Sequence, residues 1–231
     1  MKPRTQKILT SIIKEYTRSA QPVSSAFLAE KFKVSSATMR NEMADLEKEG
    51  YIYQPHTSAG RVPTEKGYLF YIENFLQEKK FSNNTEKEVL KKLNKISDDH
   101  LVKIKELAKS LADISGETVL VGFTPNNVYY TGLSNLFSKP EFSRQEIVCN
   151  VSQIIDHLDE VMHKLFNQVG EEIEILVGRK NPFGTDCSTI FIPYKLSKKE
   201  KGLLGILGPM RMDYNSNMSL LKYAREVISK F

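Results

Sequence analysis

Tryptophan is absent from this sequence, and cysteine occurs only twice, as Cys149 and Cys187. Two cysteines at no metal-ligand spacing exclude a disulfide framework and a thiolate zinc site, and they suit a reducing cytoplasm. No hydrophobic run reaches the length needed to cross a bilayer. The basic N-terminus has helically spaced apolar residues among polar ones, which argues against a signal peptide. We therefore expect a cytoplasmic protein that does not enter the membrane.

The residue patterns of an enzyme are also missing. His157 and His163 are six residues apart on one predicted helix and so do not share a face. Cys187 has no fixed histidine partner that would make it a nucleophile. The glycines within 202–208 are spaced by three, but no helix follows them directly, as a phosphate-binding fingerprint requires. The sequence predicts no catalytic residue, no metal site and no cofactor.

The charge of the chain is unevenly distributed. The 231 residues carry a net charge of +5 with a pI of about 9.0. Residues 1–40 hold eight Lys and Arg against two Asp and Glu, whereas residues 81–231 hold twenty against nineteen. The basic excess therefore lies near the N-terminus, as a polyanionic partner such as DNA would require. The length is sufficient for two ordinary domains.

Residues 22–50 have the pattern of two short helices joined at a tight turn. The first helix follows Pro22, and Lys33 lies in the connection. Ser35 is placed to cap the second helix, and Gly50 ends it. The apolar positions repeat at helical spacing in both helices: Phe27, Leu28 and Phe32 in the first, and Met39, Met43 and Leu46 in the second. This layout is typical of a helix-turn-helix.

The outward face of the second helix carries side chains suited to a DNA groove. Arginine can bond guanine O6 and N7 together, asparagine can bond adenine N6 and N7, and short hydroxyls reach phosphates. The helix N-terminus adds its own N–H groups. The alternative is a solvated face without function, which an isolated helix would favour. The residues concerned are Ser36, Thr38, Arg40 and Asn41, with Ser35 at the cap.

A wing is predicted directly after this helix. Residues 51–54 are aromatic and β-branched, which indicates a strand, and residues 56–61 read as a hairpin tip with a glycine and an arginine. A further helix opens at Thr64 with apolar residues on one side. Together with a first helix over residues 3–19, these elements predict a winged helix-turn-helix over residues 1–80.

Long blocks of the chain resemble the heat-inducible transcription repressor family (HrcA). The resemblance covers nearly the whole chain, in residues 22–25, 35–47, 54–64, 132–142 and 205–214. It implies a repressor that blocks chaperone genes at an inverted-repeat operator in double-stranded DNA, acts as a homodimer, and is kept active by the chaperonin. It assigns DNA contact to Ser35, Ser36, Thr38, Arg40 and Asn41 of the helix and to His56, Thr57, Ser58 and Arg61 of the wing.

The rest of the chain has an α+β pattern. Residues 81–115 read as a linker and a long amphipathic helix over 85–115, with a capping box at Thr85 and Glu88. Strands are predicted at 118–124, 128–131, 173–178, 189–194 and 202–207, and helices at 143–170 and from Ser216 or Asn217 onward. Residues 116–231 resemble the GAF-like domain of the same family, with helices flanking a mixed sheet.

One segment departs from the family. Relatives usually carry a dimerising module inserted in the GAF-like domain, but only residues 125–127 separate the first two predicted strands here. Three residues cannot fold independently. We therefore expect the insert to be absent, and a dimer to form through the 85–115 helix or a face of the GAF-like domain.

Two other functions remain open on the sequence. A winged-helix regulator could sense a small molecule in a cavity lined by strand aromatics, although such rings are more often plain core. These aromatics are Phe123, Tyr130, Phe191 and Tyr194. A winged helix that binds only proteins would not need Arg40, Asn41 or Arg61.

Overall fold

The computed structural model describes residues 1–78, 90, 93, 99–195 and 201–231. The chain divides into two compact units, Met1–Leu76 and Gln77–Phe231. The first unit is helical with a small hairpin, and the second is a sheet with helices on both faces. This is the expected α+β fold class, a winged helix-turn-helix followed by a GAF-like domain.

Three helices open the first unit. They are α1 (Pro3–Ser19), α2 (Ser25–Phe32) and α3 (Ser36–Lys48). Ser24 caps α2 by accepting the N–H of Phe27, and Ser35 caps α3 by accepting the N–H of Thr38. The predicted stripe of α3 is buried, as are the apolar residues of α1: Met39, Met43 and Leu46, and Ile8, Leu9, Ile12 and Ile13. The two helices predicted for residues 22–50, α2 and α3, are confirmed. In α2, Leu28 is buried, Phe32 is half-buried and Phe27 is 40% exposed.

The hairpin follows α3. Strands β1 (Ile52–Tyr53) and β2 (Val62–Pro63) pair antiparallel and enclose the loop, and α4 (Glu65–Phe75) follows. Thr64 caps α4 and donates its hydroxyl to the carbonyl of Gly50 at 2.7 Å. Gly67 of α4 lies against the backbone of Tyr51, where an added Cβ would be 2.3 Å from the carbonyl oxygen. The loop is therefore held between two helices, in the position of a wing.

The second unit contains a five-stranded sheet. Its strands are β3 (Thr118–Thr124), β4 (Asn127–Thr131), β5 (Glu174–Val177), β6 (Cys187–Lys195) and β7 (Lys201–Pro209). Their order is β4-β3-β7-β6-β5, and all four ladders are antiparallel. The expected mixed sheet is therefore wrong, because β6 and β7 form a direct hairpin and no parallel crossover occurs among the described residues. The β3–β4 hairpin turns at residues 125–126.

Helices cover both faces of this sheet. One face carries Leu120, Phe191, Leu203 and Leu207, which pack with residues of α6 (Leu133–Phe137), α7 (Gln145–Asp156) and α8 (Leu158–Gln168). The other face meets α5 (His100–Ser115) and α9 (Tyr214–Ile228). Short 3₁₀ turns lie at Pro140–Phe142 and Gly178–Lys180. Among the described residues, no helix is both long and apolar enough to cross a membrane.

Two predicted long helices are wrong in extent. Asp99 has an extended backbone and caps α5 by accepting the N–H groups of Leu101 and Val102, so the helix begins at His100. The capping box at residues 85 and 88 lies outside the described residues. The helix predicted for 143–170 is two helices, because the chain leaves helical geometry at His157. Its apolar spacing continues across the break, so periodicity alone could not reveal it.

Several smaller expectations are corrected. Arg144, not Ser143, precedes α7, and Asp213 caps α9 three to four residues before the predicted start. Cys149 is exposed, because it lies two residues after the buried Ile147 and so faces away from the sheet. Cys187 lies in the buried start of β6, where burial raises the pKa of its thiol to about 12.

Candidate nucleic-acid interface

The outward face of α3 is polar and flanked by small residues. Arg40 and Asn41 are exposed, and Ala37 and Ala44 lie one helical turn to either side. Within the described part of the chain, neither Arg40 nor Asn41 makes a hydrogen bond or an ion pair, so both side chains are available to a ligand. Flanking alanines let a helix approach a groove floor closely. This face therefore has the chemistry for base contact.

The hydroxyls predicted to contact DNA are engaged within the protein. Ser35 accepts the N–H of Thr38 at 3.0 Å, and the two hydroxyls lie 2.8 Å apart. The hydroxyls of Ser36 and Ser25 are 3.3 Å apart, which joins the starts of α2 and α3. A hydroxyl both accepts and donates, so these groups keep bonding capacity while they fix the N-terminus of α3.

The wing tip presents three polar side chains. His56, Thr57 and Ser58 are exposed. The backbone behind them is tightly bonded: the N–H of Ala59 donates to the carbonyl of His56 at 2.8 Å, and the side-chain amide of Gln54 donates to the carbonyls of Thr57 and Ala59, both at 2.9 Å. The tip is therefore a fixed loop with its side chains free to face a partner.

The two predicted contact surfaces border one cleft of about 480 Å³. The helix contributes Arg40, Asn41, Met43 and Ala44, and the loop contributes Gln54 and residues 57–61; Ser24 and Ser25 complete the lining. The helix face carries a positive charge and an amide, and the one charged residue of the loop, Arg61, is paired with Glu47. This combination fits a sugar–phosphate backbone next to a groove. The structure thus brings Arg40 and Asn41 of the helix beside Thr57, Ser58 and Arg61 of the wing. The other predicted residues do not line this cleft: Ser35, Ser36, Thr38 and His56.

Arg61 is placed differently from the other predicted residues. Its guanidinium bonds the carboxylate of Glu47, in the last turn of α3, at 2.9 Å, and its side chain is only 20% exposed. Sequence reasoning assigned no role to Glu47 or Gln54. A signal existed, because an acid in the last turn of a helix opposes the helix dipole and so suggests a specific partner.

The second unit contains one buried acidic group that the sequence did not flag. Glu117 is 5% exposed; one carboxylate oxygen lies 3.5 Å from the ammonium of Lys139, and the other has no hydrogen-bond partner among the described residues. Burial raises the pKa of Glu117 to about 7, against the opposing charge of Lys139. Nearby, Arg211 pairs with Glu141. This cluster joins the two family blocks outside the DNA-binding unit.

The four strand aromatics do not line a shared cavity. Phe191 and Tyr194 are three residues apart on β6 and so lie on opposite faces of the sheet. Both pack over glycines of β7, at Gly205 and Gly202 respectively, while Phe123 is buried and Tyr130 is 42% exposed. The shared cavity on which the small-molecule alternative depended is therefore not formed by these four rings, and three of them are buried in the core: Phe123, Phe191 and Tyr194.

Comparison with known proteins covers both units. A family model described as HrcA protein C terminal domain matches residues 58–218, and one described as HTH domain matches residues 9–57. A heat-inducible transcription repressor HrcA from Clostridium tetani is 26% identical, with 100% of this chain and 95% of the relative covered. The one from Halalkalibacterium halodurans is 24% identical, with 96% and 95% covered. The one from a Thermoanaerobacter species is 43% identical over 51% of this chain and 34% of the relative.

The fold is also known from a crystal. A solved structure described as a hypothetical protein at 2.2 Å resolution has a TM-score of 0.75 and 20% identity, with 100% of this chain and 98% of that chain covered. At that identity the similarity concerns the fold alone. The alignment with the Clostridium tetani protein runs over 336 positions, whereas this chain has 231 residues, so at least 105 positions have no counterpart here. The HTH model matches the start of the chain, and the HrcA model matches 161 of its 231 residues, from residue 58 to residue 218. This chain therefore belongs to the HrcA family, as a shortened member.

Proposed function

We propose that this protein is a DNA-binding repressor of heat-shock (chaperone) genes that recognises an inverted-repeat operator. The observation that carries the proposal is the pair Arg40 and Asn41 on the outer face of α3, beside the exposed wing tip. Among the described residues, neither side chain has a hydrogen-bond or ion-pair partner. Its relatives bear the name heat-inducible transcription repressor. Membership of their family supports the regulatory target, and the geometry supports the mode of binding.

We assign each predicted contact residue other than Arg61 a role in DNA binding from its place in α3 or in the wing. Arg40 and Asn41 read base edges, and Ser35, Ser36 and Thr38 turn the N-terminus of α3 toward phosphates. His56, Thr57 and Ser58 reach the backbone or minor groove beside the helix. We further propose that residues 1–80 form this DNA-binding domain, that 81–115 link it to residues 116–231, and that the missing family insert falls near 125–127.

The test is binding to an operator duplex and to a scrambled duplex of equal length, at several salt concentrations. We expect a clear preference for the operator and an affinity that falls steeply with salt, by about 0.9 in log K per log salt for each phosphate contacted. Equal binding to both duplexes would contradict sequence-specific repression. Absence of binding at low salt would favour a protein-interaction role.

Regulation by the chaperonin is the second part of the proposal, and the family resemblance supports it. Unfolded protein would then compete for the chaperonin and release the genes. We expect purified chaperonin to raise the bound fraction of operator, and an excess of an unfolded protein to lower it again. An unchanged bound fraction in both steps would show that this shortened chain acts without the chaperonin.

A further inference from the structure

A carboxylate at the end of α3 joins the DNA-reading helix to the base of the wing. One oxygen of Glu47 accepts the Nε–H of Arg61 at 2.9 Å, and Nη2 of the same guanidinium lies 2.9 Å from that oxygen as an ion pair. Its other oxygen accepts the backbone N–H of Gln54 at 3.0 Å. Residues 54 and 61 are the two ends of the wing loop. A single side chain therefore bonds both ends of that loop to the helix beside it.

The bonds continue from Gln54 into the loop itself. Its side-chain amide donates to the carbonyls of Thr57 and Ala59, so the interior of the loop is bonded to the residue that Glu47 holds. These two carbonyls already accept hydrogen bonds within the loop, so they do not need a bond from solvent or from a partner. The position of the tip thus follows the position of Glu47.

The third support of the loop is the backbone of the α1–α2 connection. The N–H and the carbonyl of Arg61 bond the carbonyl and the N–H of Val23, both at 2.9 Å. Gly60 packs so closely here that an added Cβ would be 2.4 Å from the carbonyl oxygen of Val23. The backbone of Arg61 is therefore fixed by one neighbour and its side chain by another.

The charge of Arg61 is compensated by this arrangement. Its guanidinium is mostly covered, and its Nε–H donates to a carboxylate oxygen of Glu47 in a charge-assisted hydrogen bond. An arginine that contacts phosphate releases counterions from DNA, whereas one already neutralised by a protein carboxylate contributes little to that release. The expected DNA contact of Arg61 and its observed bond to Glu47 thus predict different salt dependences.

We propose that Glu47, Arg61 and Gln54 form a wing-positioning lock, in which Glu47 and Arg61 set the place of the wing tip and do not themselves contact DNA. The proposal rests on the DNA-binding function proposed above. It assigns a role to Glu47 and Gln54, and it replaces the expected DNA contact of Arg61 with a positioning role.

A double-mutant cycle on the full-length chain tests the lock. We expect Glu47→Ala and Arg61→Ala each to weaken operator binding by about tenfold, because either leaves the other's charge unpaired and frees the wing. The double variant should be no weaker than the single ones, and the salt dependence should stay that of the unmodified chain. Glu42→Ala is the matched control: Glu42 is also on α3 and pairs with an arginine, Arg4 of α1 at 2.7 Å, away from the wing.

The opposite pattern would overturn the proposal. If Arg61 contacts phosphate, Arg61→Ala lowers the salt slope by about one and its loss adds to that of Glu47→Ala. Removing the competing carboxylate in Glu47→Ala would then leave binding unchanged or strengthen it.

Amide hydrogen exchange tests the lock without DNA. In Glu47→Ala, we expect the N–H groups of Gln54, Ala59 and Arg61 to exchange faster, while those of Ile8 to Ile13 in α1 keep their protection. Faster exchange in both places would mean loss of fold and contradict a positioning role, as would unchanged exchange in the wing. If the unmodified chain shows no operator preference, the repressor function fails, and exchange still decides whether Glu47 holds the wing.

Discussion

Arg40 and Asn41 are suited to mutation because nothing in the described part of the chain depends on their side chains. Both are exposed and lie off the buried stripe of Met39, Met43 and Leu46. If the guanidinium of Arg40 donates two hydrogen bonds to O6 and N7 of a guanine, we expect Arg40→Ala to weaken operator binding by about 1–3 kcal/mol. The melting temperature of the free protein should stay unchanged. Titration of operator and scrambled duplexes, with a thermal melt of the free protein, measures both.

The control for this substitution is Arg144→Ala, which removes the same charge from an exposed position in the second unit. The affinities of Arg144→Ala for the operator and for the scrambled duplex should both fall only by the small amount that the loss of one distant charge produces. A uniform loss on all duplexes for Arg40→Ala would instead identify a phosphate contact.

Glu117 is the buried acid whose protonation couples to stability. Its pKa is about 7 in the folded protein against the usual 4.5, chiefly because burial disfavours its charge. Between these values the folded state retains a proton that the unfolded state has released. The contribution of Glu117 to folding stability therefore declines as pH rises from about 4.5 to about 7 and is constant above that range. Lys139, Arg211 and Glu141 are the charged groups that act on it, and Tyr214 also lies within its electrostatic influence.

The corresponding variant is Glu117→Gln, which cannot take up the buried charge. We compare the free energy of unfolding of this variant with that of the unmodified chain. We expect the difference to move in favour of the variant by up to about 3 kcal/mol between about pH 5 and pH 8. Denaturant unfolding at the two pH values measures the difference. Glu171→Gln, at an exposed glutamate of the same unit, should show no such dependence. Equal stability differences for Glu117→Gln at both pH values would mean that Glu117 is already ionised in the folded state.

At the scale of elements, the wing depends on one close backbone approach. An alanine Cβ at Gly60 would be 2.4 and 2.7 Å from the carbonyl oxygens of Val23 and Pro22, and backbone atoms cannot move aside as a side chain can. We expect Gly60→Ala to destabilise the protein by about 1–3 kcal/mol and to weaken operator binding through displacement of the wing. Unfolding and binding measurements check both effects.

The matched control for the wing is Gly170→Ala, since an added Cβ there meets nothing within 4 Å. It should leave stability and binding nearly unchanged. If Gly60→Ala has the unfolding free energy and the operator affinity of the unmodified chain, the loop tolerates displacement and the wing does not need its observed position.

Elements marked by local chemistry were predictable from the sequence. Pro3, Ser35 and Thr64 mark the helix starts of the first unit, and each is found at its predicted place. Such signals are local, because a cap bonds a backbone N–H two or three residues away. The strands β3 and β7 were equally visible as apolar runs, and the helix-and-wing constellation followed from the order of these elements.

Elements defined by contacts distant in sequence were not predictable. The break at His157 has no proline or glycine to mark it, and apolar spacing runs through it. The antiparallel order of the sheet depends on the pairing of β6 with β7, which the lysine-rich sequence between these strands does not specify. The bond of Glu47 to Arg61 joins residues 14 positions apart that only the fold brings together. The sequence thus located the candidate site but not the network that positions it.

At the scale of the whole molecule, the distribution of charge bears on which unit attracts DNA, and the reduced length bears on how two copies could associate. The basic excess lies in the first 40 residues, which include α1, α2 and the start of α3, so the attraction to DNA originates in the first unit. The chain nevertheless carries one recognition helix, and one such helix reads only half of an inverted repeat. At least 105 positions of a relative are missing here. We therefore propose that two copies associate through the residues that remain, so that each reads one half-site.

We expect two copies to occupy one operator, joined through the second unit or the 81–115 segment. Half-sites in phase on the duplex place both recognition helices on one side, so inserting about five base pairs between them should reduce affinity to that of a single half-site, and about ten should restore part of it. Sedimentation of the free protein and the stoichiometry on DNA measure the association directly. The unmodified spacing and a single half-site duplex are the controls. A monomer at concentrations on the order of tens of micromolar, with one copy per operator and no effect of spacing, would contradict the dimer and leave half-site reading as the limit of this shortened chain.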